Sequence, residues 1–235
     1  MNSYRTISDA EYHDLESRIL YEDNHLMIFN KRTGEIVQGD KTGDEPLSET
    51  LKAFIARRDA KPGQVFLGVP HRLDRPVSGV CLFAKTSKAL ERLNEMLRQG
   101  EIHKTYWALT GTRPPQDEDT LTDFLVRNEA QNKSYVARSG KEARLHYRLI
   151  QTTDRYFLLE IQLFTGRHHQ IRCQLAHMGC PIKGDLKYGA RRSNPDGGIS
   201  LLARRIQFIH PVKKTEVDVT APVPPQWKGI QDSAL

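Results

Sequence analysis

Apolar and polar positions alternate along most of this chain, and the alternation predicts strands more often than helices. RILYEDNHLMIFNK (18–31) holds two short alternating runs around Glu22–Asp23–Asn24, which reads as two strands joined by a turn. The pattern lengthens in LSETLKAFIARRD (47–59), where Leu47, Leu51, Phe54 and Ile55 fall on one helical face. Val80–Ala84 is a continuous apolar run, the pattern of a buried strand. TSKALERLNEMLRQG follows it as a helix, with Leu90, Leu93 and Leu97 in phase, Thr86 or Ser87 as cap and Gly100 as stop. Further strands are predicted at 102–110, 134–138, 143–151, 156–164, 201–209 and 215–220, and a helix from about 167 to 178 closed by Gly179. PVPPQW marks the end of the fold. Strands outnumber helices and many are hairpin neighbours, so the predicted class is α+β, with a large mixed, mainly antiparallel sheet flanked by helices. No repeat, linker or low-complexity tract interrupts it. The expected organisation is an N-terminal extension (1–18) and one catalytic domain (19–235).

Composition narrows the classes. With 38% hydrophobic and 27% charged residues over 235 positions, the chain reads as a soluble globular protein. No apolar run reaches the roughly 20 residues of a membrane span, so no membrane partner is expected. The N-terminus lacks the apolar stretch of a signal peptide. Cys81, Cys173 and Cys180 are too few and too irregular for a disulfide framework and read as buried thiols in a reducing cytoplasm. The net charge of +6 permits a polyanionic partner. It is unevenly spread: PQDEDTLTDFLVRNEA (115–130) is acidic, whereas 167–192 is strongly basic and carries three histidines.

Candidate chemistry gathers in three segments: HRLD at 71–74, HKTYWALTG at 103–111 and FTGRHHQIRCQLAHMGCPIKGDLKYG at 164–189. HRLD lies at the mouth of a buried strand, where a scaffold can hold charged groups rigidly. Taken alone, it reads more readily as a surface turn with an Arg–Asp pair, since such pairs are common and weak. Nine histidines raise the question of a metal, but no H-E-x-x-H or cysteine pair supplies ligand spacing, and adjacent His168 and His169 would diverge on a helix. No metal and no cofactor are expected.

Together, in this order, the three segments resemble the RluA-type pseudouridine synthases, from about Ile19 to Trp227. The first resembles that family's HRLD motif and the third its TGRxHQIR…GxPIxGDxxYG stretch. The resemblance implies a cofactor-free isomerase acting on structured RNA, a ribosomal or transfer RNA stem–loop, and we expect a monomer in the cytoplasm. It makes Asp74 the catalytic carboxylate, able to trap an oxocarbenium-like ribose at C1′ or to take a proton from C2′. Arg172 matches the family's salt-bridge partner for that aspartate, the two meeting in a basic cleft. Tyr106 matches an active-site tyrosine that stacks on uracil, and Arg72 the residue filling the gap left by a flipped nucleotide. Arg167 and His168, with His169, sit at the predicted helix start, where phosphate is favoured. His71 is grouped with the RNA contacts. Lys31, in NKRTG, is assigned a structural or phosphate-contacting role.

The chain departs from the family pattern at Arg32, Val77, Gln174 and Leu202, none of which performs the chemistry. About eighteen residues precede the core, too few for the family's small N-terminal module, so binding is expected from the catalytic domain. Two rival readings remain: a non-catalytic RNA-binding module on the same fold, and a glycoside or nucleoside hydrolase. Binding alone requires neither Asp74, Tyr106 nor Arg172. A hydrolase needs two carboxylates, and the remaining candidate, Asp185, reads as ordering its own turn.

Overall fold

The computed structural model describes residues 4–39 and 42–232. They form two compact units, one of Met1–Ile102 with Gln207–Ala221 and one of His103–Ile206 with Pro222–Leu235. The class is α+β, as the alternation predicts.

The first unit begins with α1 (Asp9–Ser17), capped by the Ser8 side chain and burying Leu15. β1 (Ile19–Glu22) and β2 (Leu26–Lys31) follow as an antiparallel hairpin, whose turn is tied by the Asp23 carboxylate accepting from the N–H groups of His25 and Leu26. After α2 (Leu47–Arg58), β3 (Ser78–Ala84) pairs antiparallel with β2, from Leu26 opposite Ala84 to Lys31 opposite Gly79. β3 is buried from Gly79 onward because both its faces are covered, which is why its sequence is an unbroken apolar run. α3 (Ser87–Gln99) is capped by Thr86 and ended by Gly100, whose φ of 75° needs a residue without Cβ.

The second unit is built on a strand order β4-β8-β7-β5-β6, with antiparallel neighbours. These are β4 (His103–Thr110), β5 (Glu118–Asn128), β6 (Lys133–Ala137), β7 (Lys141–Thr152) and β8 (Phe157–Leu163). One face carries Leu125, Ala143 and Cys173, with Cys173 supplied by α4 (Gln170–His177), and with Tyr188 in the same cluster. β9 (Leu201–Ile209) adjoins β4 and lies in this unit up to Ile206, and β10 (Glu216–Thr220), which pairs with β9, belongs to the first.

Two expectations fail. The acidic segment 115–130 contains an eleven-residue strand, β5, that the charge pattern hid. Asp119, Asp123 and Arg127 alternate with Leu121 and Leu125 on its packed face, so only Leu125 of the strand is buried. The helix expected from 167 starts at Gln170, because His169 adopts φ 52°, left-handed, and cannot continue a helical turn backwards.

Candidate active site

In the first unit, the site is a turn. Asp74 to Val77 closes with the Val77 N–H donating to the Asp74 carbonyl at 3.0 Å, with Arg75 and Pro76 between them. The segment NKRTG grips this turn from one side. The Thr33 hydroxyl donates to the Pro76 carbonyl at 2.8 Å, and the Gly34 N–H to the Arg75 carbonyl at 2.9 Å, with Gly34 at φ 86°. Lys31 does most of the holding. Its ammonium is fully buried and donates to the carbonyls of Arg32 (3.0 Å), Asp74 (3.3 Å), Arg75 (3.2 Å) and Val77 (2.6 Å). Burial pulls its pKa down from 10.5 to about 8, opposed by the nearby Cys81, Glu35 and Asp74. Of the two roles expected for Lys31, this geometry supplies the structural one. A completely buried ammonium cannot reach a phosphate.

The approach to the turn is held as well. Gly68 bridges Ala84 of β3 by a pair of backbone bonds at 2.8 and 2.9 Å, and the Leu82 N–H donates to His71 Nε2 at 3.0 Å. That bond places the imidazole proton, where neutral, on Nδ1. His71 therefore anchors HRLD to β3, a supporting role where an RNA contact was expected. Arg72 is exposed and Asp74 half-buried.

In the second unit, Tyr106 lies on β4 opposite Ile161 and is 8% exposed, beside the fully buried Trp107. Lys104, two residues earlier, has its pKa lowered by burial. Arg172 lies on α4 and is 5% exposed; Asp185 is 1% exposed. The guanidinium forks onto the carboxylate, Nε to Oδ2 at 2.7 Å and Nη2 to Oδ1 at 2.9 Å, and its Cζ lies 5.1 Å from the centre of the Tyr188 ring. The Tyr188 hydroxyl is fixed in turn: it accepts from the Ser134 N–H at 2.8 Å and donates to the Ser134 carbonyl at 3.2 Å. Asp185 still orders its turn, its carbonyl accepting from the N–H groups of Tyr188 and Ala190, both at 3.0 Å. Its buried carboxylate does more than sequence reasoning assigned. The signal was an aspartate flanked by Gly184 and Leu186 close after HQIR, where an unpaired acid would be costly.

The histidine pair corrects another expectation. Neither His168 nor His169 is helical, and their rings stack with centroids 3.8 Å apart. His169 is buried and its pKa is pushed down to about 2, by burial first and then by the positive Arg172. It is a neutral packing residue, with Nδ1 3.0 Å from the Tyr188 hydroxyl, and supplies no cation to a phosphate. The helix start is partly satisfied within the protein, since the Arg167 N–H donates to Gln170 Oε1 (3.0 Å) and the Gln170 N–H to the Arg167 carbonyl (3.1 Å). His168 approaches the Ser134 hydroxyl at 2.9 Å and Asn132 at 3.1 Å. Arg167 remains exposed, with Nε on the Glu142 carbonyl at 2.7 Å.

Residues 25–177 match the family model described as RNA pseudouridylate synthase. The chain belongs to the RluA-type pseudouridine synthase family. It is 34% identical to the ribosomal large subunit pseudouridine synthase D of Xylella fastidiosa, over 97% of this chain and 74% of that protein. It is 33% identical to the ribosomal large subunit pseudouridine synthase C of Vibrio cholerae, over 89% of this chain and 67% of that one. Human RNA pseudouridylate synthase domain containing 4 shares the fold, with a TM-score of 0.76 at 23% identity and 92% of each chain covered. Membership in this pseudouridine synthase family makes the chain an RNA-modifying isomerase.

The four departures from the family pattern are absorbed by packing or pairing. Arg32 pairs with Asp14 at 2.6 Å, and Val77 and Leu202 are buried. Gln174 donates to Asp123 Oδ2 at 2.8 Å and to the Ala143 carbonyl at 3.2 Å.

Proposed function

We propose that this chain isomerises a uridine of large-subunit ribosomal RNA, with Asp74 as its catalytic carboxylate. The observation that supports the Asp74 assignment is its turn: a half-buried acid in a turn whose carbonyls are held by Lys31, Thr33 and Gly34. A reacting carboxylate gains from such rigidity, because orientation is a large part of the barrier reduction. The ribosomal substrate is supported by the names of the two bacterial relatives, each covering most of this chain.

Isomerisation breaks N1–C1′, turns the uracil and joins C5 to C1′. C5 loses a proton and N1 gains one, so atoms and electrons balance without a redox partner. Asp74 either bonds C1′ while the base turns or removes a proton from C2′ and returns it. Tyr106 stacks on the uracil and Arg172 completes the charge balance of the centre. Arg72, Arg167 and His168 contact the RNA, while His71 and Lys31 support the turn. The target nucleotide must leave its stack, since C1′ chemistry cannot proceed within a helix.

The deciding experiment is tritium release from RNA labelled at uridine C5. Wild-type protein releases tritium; Asp74→Asn keeps the shape, loses nucleophile and base, and releases none while binding RNA within about two-fold of wild type. Substantial release by the Asn variant removes Asp74 from the role.

A further inference from the structure

One face of the second unit's sheet packs on α4; the other is open, and its composition is unlike an ordinary solvated face. Antiparallel pairing fixes what that face carries. Val126 of β5 stands opposite Tyr135 of β6, and Phe124 opposite Ala137 of β6 and Glu142 of β7. Thr122 stands opposite Arg144 of β7, beside which Phe164 follows the end of β8 with its N–H on the Arg144 carbonyl at 3.1 Å. Phe124, Val126, Tyr135 and Phe164 are 43%, 45%, 40% and 52% exposed. Solvated sheet faces are normally polar, so four large apolar groups across adjacent strands form a patch.

Two cations lie on these rings. The Arg144 guanidinium carbon is 5.1 Å from the centre of the Phe164 ring, and Lys133 Nζ, on the edge strand β6, is 5.1 Å from that of Tyr135 and 5.0 Å from that of Tyr188 on the packed side. Arg144 is exposed and Lys133 half-buried. Along the same face toward the other strand ends, the carboxylates are internally paired, Glu118 with His146 at 3.1 Å and Glu160 with Arg148 at 3.0 Å. Glu142 brings one carboxylate to the aromatic end, opposite Phe124, and its backbone carbonyl accepts from the exposed Arg167.

We propose that this face is a second RNA-binding surface, on which unpaired bases of an RNA strand stack. The inference rests on the RNA substrate proposed above. Charge selects the occupant: an apolar protein partner would have to strip water from Arg144 and Lys133 without replacing it. A nucleic-acid strand offers phosphates to the cations and base faces to the rings. Strands lie about 4.8 Å apart, so the patch across β6, β5, β7 and the end of β8 is as wide as the four-stranded platforms that hold two or three bases. Single strands are bound, duplex is not, because only unpaired bases expose both faces.

The test compares wild type with Phe124→Ser and Phe164→Ser, surface changes that leave the packed face untouched. Affinity is read with a labelled single-stranded oligouridine and with duplex RNA of the same length. Each substitution weakens oligouridine binding roughly 5- to 100-fold, the range of one lost base stack, and leaves duplex binding unchanged. Equal affinity of wild type and both variants for oligouridine overturns the proposal. So does a concentration-dependent dimer of wild type that the variants abolish, since the face would then bind a second copy. Tritium release by wild type from labelled RNA is measured alongside. Its absence would defeat the enzymatic reading, separately from the outcome at this face.

Discussion

Replacing Lys31 by methionine separates holding the turn from holding the fold. The ammonium is buried at a cost: the fall from 10.5 to about 8 corresponds to ~3 kcal/mol favouring the neutral form. Between those two pH values the folded chain binds fewer protons at this site than the unfolded chain, so the group's contribution to stability rises with pH across that window. Below about pH 8 the full cost stands. Lys31→Met removes it and strands carbonyls instead. Those of Asp74 and Arg75 keep the N–H groups of Val77 and Gly34, but those of Arg32 and Val77 lose the ammonium, at about 1–3 kcal/mol each. Gain and loss nearly offset, and the variant unfolds in urea within about 3 kcal/mol of wild type. Turnover behaves differently. Three of the four carbonyls belong to the turn of the proposed catalytic carboxylate, and a shift of about 1 Å there costs on the order of 100-fold. Tritium release should therefore fall at least tenfold at pH 7. Above about pH 8 wild type loses turnover as the ammonium gives up one of its three donors, an alkaline limb absent from the variant. A variant with wild-type kcat and the same alkaline limb would refute the reasoning.

Asp185→Asn leaves the buried Arg172 without its forked carboxylate and should cost roughly 3–5 kcal/mol, read as a shift in urea midpoint; a loss below about 1 kcal/mol would mean the fork contributes no more than a surface pair. RNA affinity should fall linearly with log salt, and Arg167→Ala should reduce the slope by about one charge's worth; an unchanged slope moves the phosphate contact elsewhere, to Lys104 or Arg191. Burial holds the Cys81 thiol up at about 12 and Cys173 at about 11, and raises Cys180 as well, so none should be alkylated by iodoacetamide in the native protein at pH 8. Rapid labelling of any one would show that its unit opens.

The sequence made most elements legible because their signals were local. Thr86 and Gly100 mark the two ends of α3 as caps must, and the apolar run of β3 admits little but a buried strand. β5 was not legible, since Asp119, Asp123 and Arg127 share a face with Leu121 and Leu125 and break the apolar rhythm that identifies a strand. The start of α4 was displaced by a backbone choice at His169 that residue type alone does not announce. At the candidate site, HRLD and HQIR were readable as chemistry, but their supports were not. The bonds that Lys31 donates to backbone carbonyls, the one His71 accepts from the Leu82 N–H, and the pairing of Arg172 with Asp185 depend on how separate segments pack. Lys31 is open to a structural role from its sequence, and its burial selects that role, whereas His71 reads as an RNA contact until its bond to the Leu82 N–H is seen.

The grip of Lys31 on the turn spans 43 to 46 residues of chain. A contact that distant forms late, after the loop between its ends has been closed at an entropic cost that local bonds do not meet. Val77 lies directly before β3, and Lys31 ends β2, so the turn takes its shape only once those two strands have paired. The Asp74 carboxylate is thus aimed by tertiary structure, and a chain emerging during synthesis carries HRLD for some time before it carries a site. Until β2 and β3 have paired, the proposed catalytic carboxylate has no fixed orientation, and orientation is a large part of what such a group contributes.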